Sequence, residues 1–238
     1  MWHHYLATGD QDFLTAMWPV VEATADHVIE FQLPGGQIAW RADDPDDGAL
    51  LTGSSSIHLS LHYASTIAAH LGKERPDWVR ARAALADAIR HREDGFLDKR
   101  RWAMDWYYPV LGGVLRGDEA RARIAERWDA FVVPGLGVRC VSDRPWVTAA
   151  ETCELALALD AIGEPDRARE LVAWVQFLRH DDGSYWCGAN FEGERFDLPG
   201  QHYTNDQPTW NSAAVVLASH ALDSAAPAAS IFRDLPPV

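Results

Sequence analysis

The feature that most constrains the fold is an alternation between two kinds of helical segment. "GSSSIHLSLHYASTIAAHLG" is small and apolar nearly all round, whereas the "PDWVRARAALADAIRHRE" that follows carries its charges on one face. The contrast repeats in "MDWYYPVLGGVLRG" with "DEARARIAERWDAFV", and again in "TAAETCELALALDAIG" with "EPDRARELVAWVQFLRH". A helix apolar on all sides is buried, and one with a charged face is peripheral. The pairs recur about every 45–50 residues, a period typical of repeat architectures. The connections "LGKERPD", "RGDE" and "IGEPD" place Gly at the end of one helix and an acid at the start of the next. Turns this short make antiparallel helical hairpins.

Buried helices alternating with peripheral ones in successive hairpins predict an all-α protein of the α/α toroid type, inner helices in a ring and outer helices around it. Inner segments fall near residues 2–7, 53–71, 104–115, 148–162 and 209–222, with four outer helices between them. The expectation is a single toroid domain over residues 1–238 with a C-terminal tail at 223–238, holding about nine of the roughly twelve helices of a six-hairpin ring. "MWHHYLA" is a fragment of an inner helix, so the ring is expected to be incomplete at its N-terminal side, with an exposed apolar strip that favours homo-oligomers. The long segments "LPGGQIAWRADDPDDGALLTG", "VVPGLGVRCVSDRPW" and "DDGSYWCGANFEGERFDLPGQHYTNDQPTW" each precede an inner helix and gather at one mouth of the ring. Long loops in a compact domain are usually functional.

Composition narrows the function. The net charge is −14, which repels phosphate backbones and anionic lipid and argues against nucleic-acid and membrane roles. Cys140, Cys153 and Cys187 form no Cys-x-x-Cys pair, so neither a disulfide framework nor a zinc knuckle is expected. The N-terminus lacks the pattern of a signal peptide, and no apolar run is long enough to span a membrane, so a cytoplasmic protein is expected. The chain has 11 Trp and 6 Tyr, many beside Gly, Pro, Asp or Ser. Aromatics so placed are candidate ligand platforms.

Glu151 is the first candidate catalytic group. Thr148-Ala-Ala-Glu151 fits a capping box, but Asp143 and Pro145 offer an earlier helix start, from which Glu151 lies two turns in and is available for proton transfer. Asp105 opens "AMDWYYPVL" as a potential N-cap, yet Trp106, Tyr107 and Tyr108 follow it directly, and a carboxylate beside aromatic rings fits a sugar subsite. Arg139, Asp143, Arg144 and Trp146 crowd the loop before Glu151, either as a local Arg–Asp pair or as hydroxyl-recognising groups. Trp40, Tyr185, Trp186 and Trp210 lie in the long segments and complete the candidate substrate-binding set. Ser54–Ser56 read as a helix cap and His58 as a satisfied core residue. "DDPDD" at residues 43–47 matches the aspartate-rich motif of isoprenoid synthases, but Pro45 opposes the helix that motif needs.

"WHHYLATGDQDFLTAMWPVVEATADHV" resembles the hairpin of six-hairpin glycosidases. "DGALLTGSSSIHLSL", "MDWYYPVLGG", "RWDAFVVPGLGVRCVSDRPWVTAAETCELALALDAIG" and "DDGSYWCG" resemble an actinobacterial family often labelled prenyltransferase-like, whose members include mycobacterial hydrolases cutting methylmannose polysaccharides at α-(1→4) mannosidic bonds. The resemblance covers nearly the whole chain and departs at 189–208, where the loop is expanded. It implies an α/α toroid and hydrolysis of an oligo- or polysaccharide, with no metal or cofactor. Glu151 would be a catalytic carboxylate, with a second acid upstream of residue 1 or, within the chain, at Asp105. Toroid glycosidases commonly invert, so inversion is the expected outcome. The competing expectations are a non-catalytic carbohydrate-binding toroid and a terpenoid cyclase or prenyltransferase.

Overall fold

The computed structural model describes residues 1–191 and 206–235. The chain divides into two compact units: among the described residues the first holds 1–99, 108–116 and 235, and the second holds 100–107, 117–191 and 206–234.

The first unit is built from α1 (Trp2–Thr8), α2 (Gln11–Ala16), α3 (Trp18–Ile29), α4 (Leu51–His70) and α5 (Pro76–His91). The Asp10 side chain caps α2 by accepting the Phe13 N–H at 2.8 Å. Helices α4 and α5 form a hairpin. Gly72 ends the first with a positive φ of 68°, and Pro76 starts the second at its first turn, where its missing N–H costs nothing. Leu51, Ser54, Ser55, His58, Leu61, Ala64, Ile67 and Ala68 are buried, a three-and-four spacing that marks one face of α4. Leu61 and Ile67 pack with Leu14, Trp18, Val21 and Trp78. A neighbouring cluster joins Leu51 to Ile38, Leu85, Ile89, Phe96 and Val114. Trp18 and Trp78 meet with ring centroids 5.8 Å apart, and the Trp78 indole N–H donates to Asp26 at 2.8 Å.

One expectation for this unit changes. Helix α4 begins at Leu51, so Ser54–Ser56 lie inside it rather than capping it. Ser55 Oγ donates back to the Leu51 carbonyl at 2.8 Å, and Ser54 Oγ accepts the Ile38 N–H at 3.4 Å. The "DDPDD" segment forms only a single 3₁₀ turn, Pro45–Asp47.

The second unit holds part of α6 (Ala103–Leu111; its residues through Tyr107), then α7 (Gly117–Glu126), α8 (Trp128–Phe131), α9 (Ala149–Ala161), α10 (Pro165–Trp174) and α11 (Thr209–Leu222). The single amphipathic segment expected over "DEARARIAERWDAFV" breaks at Arg127 into α7 and α8. Helix α9 packs against both α10 and α11, and Ala149, Thr152, Cys153 and every residue from Leu155 to Asp160 are buried. Gly163, at φ 82°, ends it, and Pro165 opens α10. The chain is thus of the all-α class, built from the helical hairpins of the α/α toroid type. It carries one addition that the helix patterning did not anticipate: a small antiparallel sheet of β1 (Val132–Val133), β2 (Gly137–Arg139), β3 (Trp146–Thr148) and β4 (Gly188–Asn190), in that order. Among the described residues, no helix is long and apolar enough to cross a membrane.

Candidate active site

The sheet positions the site. Val138 stands opposite Thr148 between β2 and β3, and Thr148 opposite Gly188 between β3 and β4. Strand β3 passes into α9 with no residue between them, so the earlier helix start at Asp143–Pro145 is corrected: those residues precede a strand, and the helix begins at Ala149. Three hydrogen bonds fix this junction. The Ala149 N–H donates to the Cys187 carbonyl at 3.2 Å. Thr152 Oγ1 donates to the Thr148 carbonyl at 2.6 Å and accepts the Val138 N–H at 2.8 Å, tying the first turn of α9 to β2. Gly188 is required here by close approach. A Cβ on it would lie 2.2 Å from the Val147 carbonyl oxygen and 2.9 Å from the Trp146 ring.

Alternation along β3 buries Val147 completely and turns Trp146 and Thr148 toward a cavity of about 430 Å³, within the usual range for small-ligand sites. Trp102, Met104, Cys140, Val141, Arg144, Ala150, Glu151, Glu154, Cys187, Trp210 and Asn211 complete its lining. Glu151 is the third residue of α9 and half-buried. Its capping-box spacing is real, but the reciprocal cap is not made: the Thr148 side chain caps no backbone N–H, and its hydroxyl donates instead to the Glu151 carboxylate. One turn on, Glu154 faces the same cavity and accepts a 2.5 Å hydrogen bond from the Tyr107 hydroxyl.

The two thiols in the wall are held neutral. Burial pushes the Cys140 thiol well above its ordinary range, and the Glu151 carboxylate beside it adds to the shift. Burial likewise raises Cys187, with Asn211 opposing the shift. Protonated thiols are poor nucleophiles and poor metal ligands. Among the described residues, no group of three or more His, Cys, Asp or Glu is placed to hold a metal ion.

No family model matches the chain. It is 51% identical over 241 residues to the MMP endo-(1,4)-3-O-methyl-alpha-D-mannosidase of Mycolicibacterium hassiacum, covering 99% of this chain and 65% of that protein. The similarity runs over nearly the whole of this chain. The chain spans less than two thirds of the relative's length.

The structure brings Glu151, Arg144, Trp146 and Trp210 together around the cavity. Other candidates lie elsewhere. Asp105 is the third residue of α6 rather than its cap, is 4% exposed and is not among the lining residues. Trp106 and Tyr107 are fully buried, so neither ring offers a face to a sugar. Trp106 stacks on Phe131 at 5.3 Å and donates its indole N–H to the Arg123 carbonyl at 2.7 Å. The platform expectation for these two rings is corrected for that reason. Tyr108, half-buried, and Trp40, exposed with its indole N–H donating to Asp47 at 3.1 Å, both belong to the first unit. Tyr185 is buried with its hydroxyl on Gln176 at 2.9 Å, and Trp186 meets His180 edge-on at 5.3 Å. Arg139 donates to the Ser142 carbonyl at 3.0 Å and lies over the Phe191 ring. In place of a pair within this loop, Asp143 pairs with Arg101 from outside it at 2.9 Å, which holds its carboxyl below the usual range. Most of the expanded loop at 189–208 lies outside the described residues.

Sequence reasoning missed Glu154, although its three-residue offset from Glu151 puts both on one helix face. It also missed Trp102, Met104, Cys140, Cys187 and Asn211. No local pattern joins these, because they come from four separate stretches of chain.

Proposed function

We propose that the cavity is the active site of a glycoside hydrolase acting on α-(1→4)-linked, 3-O-methylated mannose oligo- or polysaccharide. One observation carries the reading: a half-buried carboxylate, Glu151, is oriented by Thr148 on the wall of a cavity whose mouth holds the exposed rings of Trp102 and Trp210. The identity to the mycolicibacterial mannosidase supports the substrate class. In this reading Glu151 is one of the two carboxylates that glycoside hydrolysis uses, exchanging a proton at the glycosidic oxygen or at the attacking water. Trp146 and Trp210 stack on sugar faces, and the apolar wall of Met104, Val141 and Ala150 receives methyl groups. We assign an inverting mechanism, in which the second carboxylate activates water on the opposite face of the sugar at a separation of ~6.5–9.5 Å. Asp105, buried and off the cavity wall, is not that second group.

The test is hydrolysis of an α-(1→4)-linked 3-O-methylmannose oligosaccharide, followed by NMR of the first-formed anomer. Release of the β-anomer supports inversion. Glu151→Gln is expected to lower kcat by at least ~10²-fold while leaving oligosaccharide binding and thermal melting near those of the parent. Near-normal turnover in that variant would refute the assignment of Glu151.

A further inference from the structure

We propose that Glu154 is a substrate-positioning carboxylate of this site, and that the buried Tyr107 phenol is the group that holds it in place. The inference rests on the glycosidase reading and extends it to a residue with no role in it so far. Three observations carry it. Glu154 lines the same cavity as Glu151. It lies three residues further along α9, and side chains at that spacing are neighbours on one helix face, their Cβ atoms about 5–6 Å apart. Its Oε2 accepts a 2.5 Å hydrogen bond from Tyr107, a side chain with no exposed surface, which comes from a different helix.

The chemistry follows from what such an arrangement must do. Two acids three apart on a helix repel each other, and α9 is otherwise buried along almost its whole length. On a helix packed that way, a carboxylate on a cavity wall stands where a ligand would meet it. The Tyr107 phenol is rigid and surrounded by core, so it fixes the Glu154 rotamer as a second-layer partner does at other polar sites. An ionised carboxylate is acceptor-only, with about four lone-pair sites, so a carboxylate held by a phenol can also accept from a ligand. The complementary ligand group is a hydroxyl that donates, and an O-methyl group cannot donate. Glu154 is therefore expected to engage a free hydroxyl of the sugar ring, while the apolar part of the lining takes the methylated position. Its contribution is to place the sugar relative to Glu151, so Glu154 acts mainly on affinity and Glu151 mainly on turnover.

The experiment separates the two roles. In a Glu151→Gln background, which leaves the ligand uncut, an α-(1→4)-linked 3-O-methylmannose tetrasaccharide is titrated by calorimetry or Trp fluorescence. Adding Glu154→Gln is expected to weaken binding by about 10- to 100-fold, the range for a hydrogen bond to a charged group, and adding Tyr107→Phe by about 3- to 10-fold, because the acid remains but is less fixed. In the otherwise native chain, Glu154→Gln should raise KM by more than it lowers kcat. Thermal melting of each variant is read alongside, and Glu154→Asp, which keeps the charge, should recover part of the affinity. Unchanged affinity in the Glu154→Gln variant overturns the inference, as does a loss of affinity that only tracks a loss of folded protein. No binding by the Glu151→Gln chain overturns the active-site reading itself. Binding that Glu154→Gln weakens, in a chain that hydrolyses nothing, keeps the Glu154 assignment and removes the hydrolase.

Discussion

Helices α4 and α9 read alike in sequence, each small and apolar nearly all round and each followed by an amphipathic partner, yet they use their polar residues in opposite ways. Helix α4 buries one face and places His58 on it, at 1% exposure. The His58 ring is satisfied at both ends: Nδ1–H donates to the Gly112 carbonyl at 2.8 Å, and Nε2 accepts from Arg82 Nε–H at 3.1 Å. Helix α9 is buried on nearly every side, but its half-buried acids Glu151 and Glu154 line a cavity. A buried polar group whose partners are all protein is architecture. A polar group on a cavity wall is within reach of a ligand. Sequence patterning finds both kinds and does not distinguish them.

The sharpest way to break this contrast is to exchange the expected effects. The largest stability change is expected from Trp106→Ala, which removes a ring stacked in the core of the second unit and should cost about 3–5 kcal/mol, read by chemical denaturation. A stability loss under ~1 kcal/mol would mean that the ring is not core. Next is the activity loss of Glu151→Gln described above, with little change in melting. Gly188→Ala comes third. Its new Cβ meets the Val147 carbonyl and the Trp146 ring, so a cost of about 1–3 kcal/mol, as for overpacking, should accompany weaker oligosaccharide binding, whereas a purely structural residue would show only the first.

His58 supplies the fourth prediction. Burial lowers its pKa from 6.5 to about 4, with Gly112 opposing and the Arg82 charge adding to the shift. The folded state therefore holds the neutral ring while the unfolded chain takes up a proton more readily. This stability is full above pH 6.5 and is lost as pH falls from about 6.5 toward about 4, with a slope of at most ~1.4 kcal/mol per pH unit for one group. His62, also lowered to about 4 by burial and by Arg82 and Arg116, titrates over the same range. His58→Gln should flatten the acid limb of the stability curve by about one proton and leave kcat within a few-fold of the parent. An unchanged limb would show that the ring is not held neutral. The smallest effect is expected from Asp143→Asn, since its pair with Arg101 is exposed and such pairs contribute little.

Much of the fold was legible. The inner segments expected near 53–71, 148–162 and 209–222 correspond to α4, α9 and α11, because helix periodicity and Gly-to-acid turns are local signals. The sheet was not legible, because strands of two or three residues are too short to show alternation. At the site, Glu151 stood out as an acid in an apolar run. Trp106 and Tyr107 misled, because an acid followed by aromatics looks the same whether α6 turns those rings outward or into the core. Glu154 was legible in principle from helix spacing, but its significance depends on a cavity that only the folded chain defines.

The direct passage of β3 into α9 has a further consequence. A strand sets which face a side chain takes by odd or even position, and a helix sets it by rotation of about 100° per residue. With no loop between them to absorb an error, both rules run from one origin at Thr148 and Ala149. One residue inserted at that junction would turn Glu151 and Glu154 by about 100° relative to the strand, away from the cavity, or else would slip β3 and send Trp146 to the opposite face. The nine positions from Trp146 to Glu154 therefore behave as a reading frame, in which exchanging a letter damages one contact and shifting the frame erases the site.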